Sequence, residues 1–93
     1  MKGLAVAVTR QTPAGDPPGG WLPAERLPLQ AALAAYTSSG AWQAFEEDTA
    51  GTITVGKRAD LALLDADVPA LDDTELTSVP VTGTWLAGVQ VFG

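Results

Sequence analysis

At 93 residues the chain has room for one small core, since a domain of this size buries only about two-thirds of the surface its unfolded form exposes. Eleven Asp and Glu against five Lys and Arg give a net charge of −6, which opposes attraction to nucleic-acid backbones or anionic lipid surfaces. Cysteine and histidine are both absent, which excludes disulfides, thiolate nucleophiles and zinc–thiolate sites and removes the usual general base near neutral pH.

The chain opens with Met1-Lys2 and a short apolar run that stops at Val8 before Arg10. This run is too short to export or anchor the chain, and a soluble, cytoplasmic protein is expected. Its period is ambiguous: Leu4, Ala7 and Val8 would share a helical face, Val6 and Val8 a strand face. Residues 11–27 are rich in proline and glycine and read as a long loop, with Trp21 pinning it to the body.

Pro28 then sits at a helix start, followed by Leu29, Leu33 and Tyr36 on one face, and the spacing predicts an amphipathic helix ending near Thr37. Ser38 or Ser39 can cap a second short helix carrying Ala41, Trp42, Ala44 and Phe45, closed by Glu46-Glu47-Asp48 and Gly51. Trp42, Phe45 and Trp85 stand at core spacings. The acidic cluster sits badly at a helix C-terminus, where the macrodipole prefers cations, so a basic group from elsewhere is expected nearby.

After Gly51 the pattern is that of strands. Ile53 and Val55 alternate with threonines, Leu61 to Leu64 form an apolar run entering the core, and Val79 to Phe92 alternate around a hairpin turn at Ala87-Gly88. Asp65 to Ser78, acidic and proline-bearing, reads as a solvated connection. The expected fold class is α+β: helices first, three to four short strands afterwards, with a helical segment over 1–50 and a β segment over 51–93.

Gly51-Thr-Ile-Thr-Val-Gly56-Lys57 has the G-x-x-x-x-G-K spacing of a phosphate-binding loop. Its context is reversed, because a helix precedes it, extended residues fill it, and Arg58 replaces the magnesium-binding hydroxyl. A β-turn at Gly56, with Lys57 and Arg58 reaching into water, accounts for the same residues. Glu46-Glu47-Asp48 and Asp72-Asp73-Glu75 lack the spaced pattern of a calcium loop. Asp60, entering an apolar run, must be hydrogen-bonded, and the amides of the Gly56-Lys57-Arg58 turn are its expected donors. Ser38 and Ser39 have no histidine to activate them.

Gly51-x-Ile53-x-x-Gly56-Lys57-x-Ala59-Asp60-Leu61-x-x-Leu64-Asp65 strongly resembles the segment near the C-terminus of metal-dependent amidohydrolases of the family 3 type. Ala35-Tyr36-Thr37-Ser38-x-Gly40-Ala41-Trp42, with Phe45-Glu46-Glu47, is similar to the preceding helices of that family. Val81-x-Gly83-Thr84-Trp85-Leu86-x-Gly88-x-x-Val91 is similar to its terminal hairpin, with Ala87 where an Asp is common, and Val8-Thr9-Arg10 also fits.

The resemblance implies helices from the end of a (β/α)-barrel followed by half of a β-sandwich. It also implies, for the complete enzyme, metal-assisted attack of water on a C–N bond, with zinc or another divalent metal held in the barrel. No position here matches a catalytic, metal-binding or cofactor-binding residue of that family, so none is carried over. The expectation is therefore a C-terminal fragment, inactive alone, which binds neither nucleic acid nor membrane. It would self-associate through the Leu61–Leu64 and Val79–Phe92 strands or join the remainder of an amidohydrolase. The alternative is a free-standing interaction module that pairs through its strand edges.

Overall fold

The computed structural model describes residues 2–93. The ambiguous N-terminal run is a helix, α1 (Lys2–Thr9), which buries Leu4, Ala5 and Val8 along one stripe. The Thr9 hydroxyl donates to the Ala5 carbonyl at 2.8 Å, and the chain turns out of the helix at Arg10, where φ is 57°. Helices α2 (Leu29–Tyr36) and α3 (Ser38–Gln43) follow, joined at Thr37. The predicted amphipathic helix is therefore present. Ala32 is its fully buried residue and Leu29 and Leu33 pack beside it, but Tyr36 stays 63% exposed, with its ring end laid over Gly3 of α1.

The 11–27 loop folds back on α1 through backbone bonds, Trp21 N–H to Arg10 O and Leu27 N–H to Ala7 O. Trp21 does pin the loop, though not by burial: its ring is exposed and carries the Arg10 guanidinium 4.9 Å from its centroid.

Three strands follow: β1 (Leu61–Leu64), β2 (Val81–Leu86) and β3 (Val89–Phe92), in the antiparallel order β1-β2-β3. The β2–β3 turn is the predicted Ala87-Gly88, with positive φ at both residues (49° and 82°), as a tight two-residue hairpin requires. Trp85 folds across Gly83, where an added Cβ would come within 2.6 Å of its ring. Helices followed by a small antiparallel sheet make the fold class α+β.

Several expectations are corrected. Ile53 and Val55 form no strand; both are almost wholly exposed in an irregular loop. Trp42 and Phe45 are not packing residues: they are 70% and 91% exposed. Leu61 to Leu64 do not enter the core as a run, because Leu61, Ala62 and Leu63 are exposed and Leu64 alone packs against it. In the opposite direction, Asp65–Ser78 is no solvated connection. Its 3-10 turns Val68–Ala70 and Asp73–Ser78 bury Val68 and Leu76.

The core is thus Leu4, Ala5, Val8, Ala32, Val68, Leu76 and Val79. It lies between α1, α2 and the Asp73–Ser78 turn, and the sheet stands beside it, attached through Leu64 and Ala66. The cost of this arrangement is measurable in shape. The radius of gyration is 14.5 Å, against about 12 Å for a compact domain of this length. The accessible surface is 6450 Å², against about 5000 Å² for a compact monomer of this mass.

Leu76→Ala should lower the unfolding free energy in urea by about 2–5 kcal/mol, because it hollows the centre of this core. Phe45→Ala should stay within about 0.5 kcal/mol of the parent chain; equal losses at the two positions would contradict this placement of the core.

Candidate functional site

The stretch with phosphate-loop spacing lies in the crook between α3 and β1. Gly51 and Gly56 both have left-handed φ values, 95° and 94°, with irregular chain between them and no helix after Lys57. A phosphate cradle needs amides aimed at one point from a helix N-terminus, and that helix is absent here. The lysine is also committed elsewhere. Lys57 Nζ donates to the carbonyls of Glu47 (2.5 Å) and Ala50 (3.4 Å), and so does not reach into water as the sequence suggests. It supplies the basic group expected after α3, setting an ammonium on the carbonyls of the acidic turn. The Arg58 N–H ties the same loop to Thr49 O at 2.8 Å.

Asp60 is hydrogen-bonded, as an acid beside an apolar run must be, but its donors are not the Gly56-Lys57-Arg58 amides. Its Oδ1 accepts the Ala87 N–H at 2.8 Å and its Oδ2 accepts Arg58 Nε at 2.6 Å. The carboxylate reaches forward 27 residues to the hairpin turn, where the Gly88 N–H also meets Ala59 O at 3.0 Å. The antiparallel pairing of β1 with β2 explains the misreading, because it brings residue 60 opposite the hairpin tip, a juxtaposition that local sequence cannot reveal.

Both Asp60 contacts favour the ionised form. The Ala87 amide first, then the Arg58 guanidinium, hold its pKa below the ordinary carboxylate value, and Arg58 is held above its own. Near neutral pH the pair is therefore a carboxylate against a guanidinium.

Between the helices and β1 runs an open groove of about 830 Å³. Leu4, Leu33, Tyr36, Ile53, Leu61 and Leu64 give it an apolar wall, with Arg58 and Asp60 at one side. A smaller cleft of about 260 Å³ separates the 11–15 loop from Asp73 and Thr77. The two carboxylate clusters stay apart, and among the described residues no three Asp or Glu side chains converge as a metal site would require. With histidine and cysteine absent from the chain, no imidazole or thiolate ligand is present for a zinc centre. The groove has a mainly apolar wall, with one ion pair at its side. It was missed in the sequence because its wall comes from four separate segments.

Asp60→Ala should lower the melting temperature at pH 7. A carboxylate whose folded pKa is depressed adds stability that is complete above its unfolded value and is lost as pH falls through the folded one. The gap between variant and parent should therefore close below about pH 4; a gap that stays constant into stronger acid would count against these contacts.

Comparisons with known proteins bear on the whole chain. Searches of curated proteins and of solved structures gave no match. The sequence profile described as the amidohydrolase family matches residues 1–92. That span takes in α1, the two further helices, the Asp60 joint and the hairpin, and the chain belongs to the amidohydrolase family.

Proposed function

We propose that this chain is the C-terminal part of an amidohydrolase-like, metal-dependent hydrolase acting on C–N bonds, with a structural role and no catalysis of its own. The observation that carries the reading is a family match over residues 1–92 in a chain with no histidine and no cysteine. Family chemistry needs a metal and a base to activate water. In the complete enzyme the barrel would hold that metal, and this segment would brace the barrel from the side of its helices.

The uncovered apolar side chains support the same reading. Tyr36, Trp42, Phe45 and Ile53 all lie on the helical side and its adjoining loop, where a barrel would cover them. The same exposure favours a second reading, a free-standing interaction module. A saturable complex with a protein unrelated to amidohydrolases would favour the module.

Two measurements test the proposal. The coding sequence upstream of Met1 should encode barrel strands with a His-x-His pair, in the same or an adjacent frame. The purified chain with added zinc should hydrolyse no amide substrate above the rate of zinc alone. Protein-dependent, zinc-dependent turnover would overturn the structural role.

A further inference from the structure

The sheet has two open edges, and they differ. The β3 edge is interrupted: Thr84 pairs with Phe92 and Trp85 with Gln90, so Val91 is an extra residue that bulges the strand. The Gln90 side-chain amide also donates to the Phe92 carbonyl at 3.3 Å. Bulges and occupied carbonyls are how proteins keep an edge from pairing. The β1 strand has no bulged residue of its own, and its one carbonyl that accepts a side chain, Leu63, takes the Thr82 hydroxyl at 3.4 Å from β2. Its own residues Leu61-Ala62-Leu63-Leu64 run without an extra residue, without charge and without proline, the shift beside Leu64 coming from Thr82 on β2. Among the described residues nothing pairs with the outer side of β1.

The charges around this edge are arranged by sign. Lys57 and Arg58, two of the five cations in the chain, precede the strand, and Asp65 and Asp67 follow it. A second β1 laid antiparallel against the first would bring Arg58 of each copy to Asp65 and Asp67 of the other, while Lys57 stays on the Glu47 and Ala50 carbonyls. A parallel partner would set like charges side by side. Arg58 is free to take part, because its bond to Asp60 uses Nε alone and leaves the terminal guanidinium nitrogens available. Asp60, which would face acidic neighbours in this arrangement, is already neutralised by Arg58 and the Ala87 amide.

Area points the same way. The surface exceeds that of a compact monomer of this mass by roughly 1400 Å², and a standard interface removes about 800 Å² from each partner. Beside the β1 edge lies the groove walled by Ile53, Leu61 and Leu64, which an incoming strand would roof.

We propose that β1 pairs antiparallel with β1 of a second copy, giving a two-fold dimer whose sheet runs continuously through both chains, clamped by Arg58 of each copy against Asp65 and Asp67 of the other. The contact is isologous and closes on itself, so it makes dimers and not filaments.

Sedimentation velocity of the intact chain over a concentration series, with hydrogen exchange on the same samples, tests this. A reversible dimer is expected, with the Leu61–Leu64 amides slowing as the dimer forms and the Val89–Phe92 amides unchanged. The double variant Asp65→Lys/Asp67→Lys should weaken the dimer roughly tenfold, although it brings the net charge of −6 nearer to zero and so reduces general repulsion. Both side chains are exposed and make no hydrogen bond in the described structure, so the variant should keep the parent's circular dichroism. A chain that stays monomeric, a dimer that slows the Val89–Phe92 amides instead, or a dimer the variant does not weaken would overturn the proposal.

Discussion

The packing of Leu76 against α1 is the contact on which the rest of the structure depends. Leu76 has none of its surface exposed and is the largest fully buried side chain. It sits in a turn that Glu75 helps to close by accepting the Asp72 N–H at 3.3 Å. Around it gather Leu4, Ala5 and Val8 from the start of the chain, Ala32 from the middle, and Val68 and Val79 from either side. Five of these six neighbours are Ala or Val, so the apolar area they remove from water is modest. The sheet adds Leu64 to the margin of this core and otherwise keeps its side chains outside.

A core of that size cannot hold a three-stranded sheet by burial, and polar contacts hold it instead. Asp60 joins the start of β1 to the hairpin tip, and Lys57 and Arg58 fasten the loop before it to the end of the helical region. The G-x-x-x-x-G-K spacing therefore marks a joint. Its two glycines supply left-handed turns at either end of a loop, and its lysine neutralises exposed carbonyls after α3. Such contacts orient the sheet but bury little, which leaves apolar residues on both of its faces for a partner to cover.

What could be read from the sequence was whatever depended on neighbours along the chain. The α2 stripe, the Ala87-Gly88 turn and the helices-then-strands order all rest on local periodicity or turn chemistry. What could not be read depended on what covers what. Asp72, Asp73 and Glu75 disguised a core segment as solvent, because a 3-10 turn can show its acids to water while burying Leu76. Trp42, Phe45, Ile53 and Val55 misled in the other direction, since an apolar residue looks the same whether its own chain or another body covers it. The family resemblance rested on three motifs in order along the chain, the Ala35–Trp42 helical run, the Gly51–Asp65 stretch and the Val81–Val91 hairpin, and the family match covers all three.

The central claim is that this chain by itself buries less apolar surface than a self-sufficient domain of its length. The heat-capacity change of unfolding reports that area directly. Scanning calorimetry on the chain, diluted until sedimentation shows a single copy, should give a value clearly below the about 1.1–1.4 kcal/mol/K usual for 93 residues. A value within or above that range would mean that the monomer closes its own core, and would contradict the account.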